Sequence, residues 1–284
     1  MSTHDVVLGA RGLLGGYLVN ELANAGREVV GFDRAGCDVA DEARVRAAVE
    51  GARVVYNAAA WTDVDGAERD VEGAWRANAR GAENVARAAM QQGAVVVHVS
   101  TDFVFDGHSD RAYDEFDAPN PQSQYARSKR AGEVLVEKAN ARHHVVRVQG
   151  LYGAGGRNFS SKLASLLRAR KTGLRIDDER RVQPTFARAA ARACIAIGQS
   201  DRFGTWHASC RGETTWHKFT ERMSARLGLE KNWEAVPSSA LVLPAPRPPN
   251  CLLETRRLAM TGVHAMPTWE DALDEYLTEE RSTQ

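Results

Sequence analysis

Only four cysteines occur in the 284 residues, Cys37, Cys194, Cys210 and Cys251, and none stands in a Cys-x-x-Cys pair. Such spacing argues against a disulfide framework or a thiolate metal centre, so reduced thiols, a cytoplasmic setting and no metal site are expected. Net charge of either sign is also lacking, because 37 basic residues balance 37 acidic ones. Nothing in that balance points to nucleic acid or to an anionic membrane. No apolar run approaches the roughly 18 residues of a membrane span. There is no basic leader before a long apolar stretch, since Val6-Val7-Leu8 runs straight into Gly9 and Arg11. Lysine is scarce: 6 of the 37 basic residues are Lys, which leaves 31 Arg. Internal repeats and low-complexity tails are missing too.

What is present is a rhythm. Short β-branched runs at Asp5–Gly9, Glu28–Asp33, Arg53–Asn57, Val95–Ser100 and His144–Gln149 predict strands. Ala-rich stretches at Gly12–Ala25, Glu42–Glu50, Arg69–Gln92 and Tyr125–Ala139 predict helices between them. Strands alternating with helices imply a parallel sheet covered on both faces. After residue 150 the rhythm loosens, through a Gly-rich turn at Gly153–Gly156, a helix near Phe159–Arg170, a strand at Gly173–Ile176 and a closing helix at Trp269–Leu277. The stretch Pro237–Pro249 holds five of the nine prolines and predicts an irregular, ordered loop. The expected fold class is therefore α/β, a Rossmann-type doubly wound parallel sheet with a smaller C-terminal lobe. The expected division is a dinucleotide-binding domain over residues 1–150 and mainly a substrate lobe over 151–284, some of whose segments return to the first.

A glycine loop, Gly9-Ala-Arg11-Gly12-Leu13-Leu14-Gly15, follows the first strand and opens a helix. Glycines let backbone N–H groups approach a pyrophosphate at the positive end of that helix. The spacing is GxxGxxG, and glycines also make ordinary strand–helix turns. Position in the first strand–helix unit strengthens the reading, as does Asp33 at the end of the second strand. Its carboxylate suits an adenosine ribose diol, whereas the adjacent Arg34 suits a 2′-phosphate, so NAD and NADP both stay open. Asp38-Val39 follows the second strand, where an adenine edge could be read. Ala58-Ala59-Ala60 follows the third and presents small side chains to a cofactor.

Tyr125 and Lys129 stand four residues apart in Tyr125-Ala-Arg-Ser-Lys129, and Ser100-Thr101 ends an apolar run upstream. Positions i and i+4 share one helix face. A phenol, an ammonium and a hydroxyl brought together form a proton-transfer device for a carbonyl. The same spacing also suits an ordinary amphipathic helix, so the glycine loop upstream gives the pair its meaning.

Together these residues resemble an extended short-chain dehydrogenase/reductase and, more narrowly, the dTDP-4-dehydrorhamnose reductase family. The resemblance is carried by Asn57-Ala-Ala-Ala-Trp-Thr-Asp-Val-Asp-Gly-Ala-Glu68, Ser100-Thr-Asp-Phe-Val-Phe-Asp-Gly107, Tyr125-Ala-Arg-Ser-Lys-Arg-Ala-Gly-Glu133 and Gly155-Gly-Arg-Asn-Phe159. It continues through Pro184-Thr185, Thr214-Thr-Trp-His217 and Arg247-Pro-Pro-Asn250, and covers roughly residues 5 to 277. Related sugar-nucleotide 4,6-dehydratases carry Thr-Asp-Glu where this chain has Thr101-Asp102-Phe103, so the resemblance implies reduction rather than elimination. Three departures stand out. Gly150 replaces a Trp that such reductases commonly have, and a hole in the sugar pocket is expected there. The run Arg180-Arg-Val-Gln-Pro184-Thr185 lacks the family's Gln and Gly, and Ala126 stands where Gly often follows the tyrosine.

The resemblance implies NAD(P)H-dependent reduction of the 4-keto group of a dTDP-4-keto-6-deoxy sugar. The implied cofactor is NADP(H) or NAD(H) and the implied partner a nucleotide-diphosphate sugar, with no nucleic acid, no membrane and room for a homodimer. Tyr125 would be the proton donor, Thr101 a hydrogen-bond donor to the carbonyl oxygen, and Lys129 a holder of the nicotinamide ribose. With the nicotinamide charge, Lys129 would pull the tyrosine about 2–3 units below its ordinary value of about 10. The sugar nucleotide is expected at Thr101, Asp102, Gly150, Asn158 and Arg247, with Arg247 on the diphosphate. Asp102 reads equally well as a strand-end turn residue. Trp216 reads better as a helix-start core residue than as a ligand contact, and His217 as structural or exposed. Two other functions fit the same residues. One is a 4-ketoreductase of another deoxysugar in natural-product biosynthesis, suggested by Gly150. The other is a non-catalytic subunit like the regulatory subunit of methionine adenosyltransferase, which resembles the same family.

Overall fold

A computed structural model of the chain describes residues 4–154, 159–169 and 172–282. The predicted Asn158, and with it Gly155 and Gly156, lie outside the described residues. The chain runs β1 (His4–Leu8), α1 (Leu13–Asn24), β2 (Val29–Phe32), α2 (Glu42–Ala48), β3 (Ala52–Asn57), α3 (Gly66–Arg69), α4 (Val71–Trp75), α5 (Gly81–Gln91), β4 (Val95–Thr101), α6 (Gln124–Ala139) and β5 (His143–Val148). It continues through β6 (Leu151–Tyr152), α7 (Phe159–Arg168), β7 (Leu174–Asp177), β8 (Thr185–Phe186), α8 (Ala187–Gly198), β9 (Gly204–His207), α9 (Trp216–Leu227), β10 (Trp233–Val236), α10 (Arg256–Thr261) and α11 (Trp269–Ser282).

Six parallel strands form the main sheet, in the order β2-β1-β3-β4-β5-β9. Alternation along each strand divides the core in two. Val7, Tyr56, Val97 and Val146 face one side, against α1 and α8; Val6, Val55, Val96 and Val145 face the other, against α2, α5 and α6. Both faces are covered, as the near-continuous valine runs require. The order reverses between β1 and β3, and the crevice of a doubly wound sheet lies at the strands' C-terminal ends beside such a reversal. Gly9 follows β1 at that place and Ala58 follows β3, with the Ala58 N–H donating to the Leu8 carbonyl at 3.0 Å.

The second half of the chain does not stay apart from the first. Helix α8 packs on α1, and β9 pairs with β5 as the sixth strand of the main sheet. Two small parallel pairs, β7 with β10 and β6 with β8, stand outside it. No described helix is long and apolar enough to cross a membrane. All four cysteines are buried and unpaired.

The long helix expected over residues 69–92 is broken. Asp70 accepts from the Gly73 N–H at 2.8 Å and caps α4, so a new helix starts there. A π-helical turn, Arg76–Arg80, then leads into α5. Such widened turns recur at functional sites, and this one carries Arg76 and Ala77 to the crevice, with Asn78 buried behind them. The Asn78 side chain accepts from the Trp61 N–H at 2.8 Å and donates to Ser128 Oγ at 3.0 Å, tying the loop after β3 to α6. A Cβ on Gly132 of α6 would lie 2.1 Å from the Asn78 carbonyl oxygen, so a glycine there is what admits the turn.

Candidate active site

A cleft of about 1280 Å³ opens along the C-terminal ends of the strands. It is lined by Gly9, Arg11, Gly12, Leu13, Leu14, Asp33, Arg34, Asp38, Val39, Ala58, Ala59 and Ala60 at one end, and by Thr101, Asp102, Tyr125, Lys129, Gly150 and Arg247 further along. Every described residue expected at the site lines it except Gly15. A Cβ on Gly15 would lie 2.0 Å from the Gly9 carbonyl oxygen, so that glycine is needed for packing beneath the loop.

The glycine end fits a dinucleotide. Gly9 has φ +81, and a Cβ on it would sit 2.8 Å from the Ala59 nitrogen, which reserves this bend for glycine. Gly12 caps α1 without a side-chain hydrogen bond, and no acidic residue stands in the first turn. The helix therefore presents its N-terminal N–H groups bare of a capping side chain, as an incoming pyrophosphate needs. Asp33 accepts from the Gly36 N–H at 2.9 Å and pairs with Arg11 at 3.1 Å; the Gly36 bond is the leading cause of its depressed pKa. Asp38 pairs with Arg76 of the π-helical turn at 2.9 Å. The adenosine end thus alternates carboxylates with Arg11, Arg34 and Arg76, chemistry that suits either a ribose diol or a 2′-phosphate.

Helix α6 carries the proton-transfer group. Ser123 caps it, accepting from the Ala126 N–H at 3.2 Å. Tyr125 and Lys129 then share the face turned to the cleft. Tyr125 packs edge-on against Phe103, with ring centroids 6.2 Å apart. Burial pushes its phenol up to about 12; the Thr101 hydrogen bond opposes this and the Asp102 charge adds to it. The expected depression by Lys129 is not found. The Lys129 ammonium is only 2 % exposed and donates to the Val99 carbonyl at 2.7 Å, which directs it to the strand end. Burial pulls that ammonium down to about 8, against the opposing influence of Glu133 one turn further along α6.

Thr101 closes β4. Its Oγ1 accepts from the Phe103 N–H at 3.2 Å and donates to Asp102 Oδ1 at 3.0 Å. Asp102 is buried, and desolvation lifts its carboxyl to about 7 although Gln149 and Thr101 hydrogen-bond to it. Gln149 donates to Asp102 Oδ2 at 2.9 Å and accepts from the Gln183 N–H. Sequence reasoning missed Gln149, whose one signal is a polar side chain just past a core strand. It also missed Arg76, Arg180 and Arg181 as cleft residues. Arg180 pairs with Asp177 at 2.7 Å and Arg181 with Glu213 at 2.6 Å.

Three expectations change in detail. Arg247 does line the cleft, but its Nη1 donates to Asp65 Oδ1 at 2.6 Å, which pins the Pro-rich loop across to the segment after β3. The hole expected at Gly150 is filled. The indole of Trp216 lies 3.3 Å from where a Cβ at 150 would stand, and Trp216 lines the cleft rather than only the core. His217 is buried between Asp178 at 3.4 Å and Glu221 at 3.5 Å, and it is not part of the cleft lining.

Comparison with known proteins agrees with this geometry. The family described as RmlD substrate binding domain matches residues 4–282. A Streptomyces griseus protein named dTDP-4-dehydrorhamnose reductase is 36% identical over 279 residues, 95% of this chain and 91% of that protein. A Streptomyces niveus protein named dTDP-4-keto-6-deoxy-D-glucose reductase is 32% identical over 277 residues, 96% of each. The crystal structure of a dTDP-4-dehydrorhamnose reductase from Bacillus anthracis in complex with NADP superposes with a TM-score of 0.94 at 30% identity, covering 98% of this chain and 100% of that one. With a matching family over nearly its whole length and relatives of the same architecture, this chain belongs to the RmlD substrate binding domain family, whose members include dTDP-4-dehydrorhamnose reductases.

Proposed function

We propose that this protein reduces the 4-keto group of a dTDP-4-keto-6-deoxy sugar, using NADPH or NADH. The observation that carries the reading is the meeting of Thr101, Tyr125 and Lys129 in one cleft with the Gly9–Gly12 bend. A bound nicotinamide cofactor supplies the hydride. Gly9, Gly12, Leu13 and Leu14 hold the pyrophosphate against α1, and Asp33 or the arginines beside it hold the adenosine ribose. Tyr125, protonated well beyond neutral pH, gives its proton to the developing alkoxide as general acid. Thr101 steadies the same oxygen. Lys129 keeps a positive charge beside this oxygen and the cofactor ribose. Arg247 is the choice for the sugar-nucleotide diphosphate, held in place by Asp65. The buried free thiols fit work in the cytoplasm.

A second reading is a related reductase whose substrate is a different 4-keto deoxysugar. Gly150 and the Streptomyces niveus relative favour it. The test follows NADPH and NADH oxidation with dTDP-4-dehydrorhamnose and with dTDP-4-keto-6-deoxy-D-glucose. Turnover of at least one sugar is expected, with NADH usable because Asp33 faces the cleft. Strict dependence on NADPH would pass the cofactor choice to Arg11 and Arg34. Oxidation with neither sugar would remove the reductase reading and favour a binding subunit.

The pH dependence follows from Lys129. Its ammonium form exists below a pKa of about 8, lower than the ordinary lysine value because of burial. Reduction needs that charge, so kcat/KM for the keto-sugar is expected to fall as pH rises through about 8. A profile flat to pH 10 would show that the charge on Lys129 is not required.

A further inference from the structure

Gly150 joins β5 to β6 next to Gln149, whose amide reaches Asp102, so position 150 borders the reacting end of the cleft. Its φ of +55 is strained for any side chain. A Cβ there would stand 3.3 Å from Trp216 Cη2, 3.6 Å from Trp216 Cζ2 and 3.5 Å from Pro184 Cα. The indole of Trp216 thus occupies the ground that a side chain at 150 would take. It arrives from another element altogether, the first turn of α9. Thr215 fixes that turn, accepting from the Lys218 N–H at 3.2 Å and donating to Asp178 at 2.6 Å. Phe219 backs the indole edge-on, with ring centroids 5.9 Å apart. A half-buried aromatic ring, braced by a capped helix and bordering the cleft beside Gly150, is a rigid apolar wall.

We propose that Trp216, given room by Gly150, is the residue that decides which keto-sugar fits, by bounding the sugar end of the cleft. This rests on the sugar-nucleotide reading above. A deoxysugar offers C–H groups to an indole, and such a wall discriminates by shape and desolvation rather than by hydrogen bonds. The wall stands away from the adenosine and pyrophosphate end, where the glycine bend and Asp33 lie, so it bears on the sugar more than on cofactor affinity.

The test compares wild type, Trp216→Leu and Trp216→Phe. Steady-state KM is measured for dTDP-4-dehydrorhamnose, dTDP-4-keto-6-deoxy-D-glucose and NADPH. Calorimetric titration of each sugar into cofactor-free protein adds a reading independent of turnover. Trp216→Leu is expected to raise KM and Kd for the preferred sugar by about 10-fold or more and to narrow the preference between the two sugars. The NADPH KM should stay within about twofold, and Trp216→Phe should lie between the other two. Unchanged sugar KM, Kd and preference in a folded Trp216→Leu protein would overturn the proposal. So would an equal loss of NADPH affinity, which would mark a general collapse of the cleft. If Trp216→Leu melts early, Trp216→Phe, which keeps an aromatic ring against Phe219, decides by the same readings. Failure of wild type to bind or turn over either sugar would instead defeat the underlying substrate reading.

Discussion

Tyr125→Phe is expected to lower keto-sugar reduction by about 10²- to 10⁴-fold while leaving NADPH affinity unchanged, the usual range for losing a general acid. The substitution removes one hydroxyl. The ring that packs edge-on against Phe103 is kept, so α6 and the cleft wall should stay in place. The hydroxyl is the suitable acid because burial holds its pKa near 12, so it is protonated throughout the working range. The neighbouring acid, Asp102, has a carboxyl near 7 and already exchanges hydrogen bonds with Thr101 and Gln149. It is therefore the natural rival. Turnover in Tyr125→Phe within a few-fold of wild type, titrating near pH 7, would move the proton-donor role to Asp102. Cofactor affinity, followed by NADPH fluorescence, separates a lost proton from a damaged cleft.

Arg147→Met is expected to destabilise the protein by about 3–5 kcal/mol, the cost of stranding a buried partner charge. Arg147 on β5 donates from Nε and Nη2 to the two oxygens of Glu133 on α6, each at 2.9 Å, and the side chains are 3 % and 0 % exposed. Desolvation acts to raise the Glu133 pKa, yet the Arg147 charge and hydrogen bonds hold it down at about 2. Met keeps the length of the aliphatic stem but leaves the carboxylate with the partly exposed Arg130 at 2.8 Å and a hydrogen bond from Ser100. At about 2–4 °C per kcal/mol for a chain of this size, the melting temperature should drop by roughly 10 °C. The double variant Glu133→Gln/Arg147→Met should recover part of that loss, because the Glu133 carboxylate is then no longer stranded, while Lys129 loses its nearby counter-charge. A drop of under about 1 kcal/mol for Arg147→Met would mean that water reaches the pair. The pair also bears on catalysis. Glu133 raises the Lys129 pKa against burial, so a folded Glu133→Gln protein should lose activity at a lower pH than wild type.

The first five strands were legible because each is a short β-branched run, four of them largely buried and β2 at the sheet edge, and the structure places all of them within a residue or so of expectation. The glycine bend was legible for a related reason: Gly9 has a backbone that only glycine adopts easily, pressed against the Ala59 backbone. Other features left weaker traces. Strand β9 is four residues long and joins β5 across more than fifty residues of intervening chain, a pairing that no local pattern reveals. The π-helical turn at Arg76–Arg80 has the composition of an ordinary helix, and only the cap at Asp70 and the close approach to Gly132 betray it. Gln149 escaped notice as a cleft residue, and Trp216 read as core in preference to a ligand contact, because both depend on tertiary placement. The upward pull of burial on the Tyr125 phenol left no trace in the sequence for a similar reason. Spacing says that Lys129 shares a face with the phenol, but not that its ammonium is already bonded to Val99 or that burial outweighs its charge.

The most direct measurement of the central claim is isotopic. Wild-type protein is given each of the two stereospecifically C4-deuterated forms of NADPH with the preferred dTDP-4-keto-6-deoxy sugar, and the product is examined by NMR. Deuterium at the sugar C4 from one labelled form, with a single C4 configuration, is expected. Deuterium at another carbon, or oxidation of NADPH without label in the sugar, would contradict reduction of the 4-keto group in this cleft.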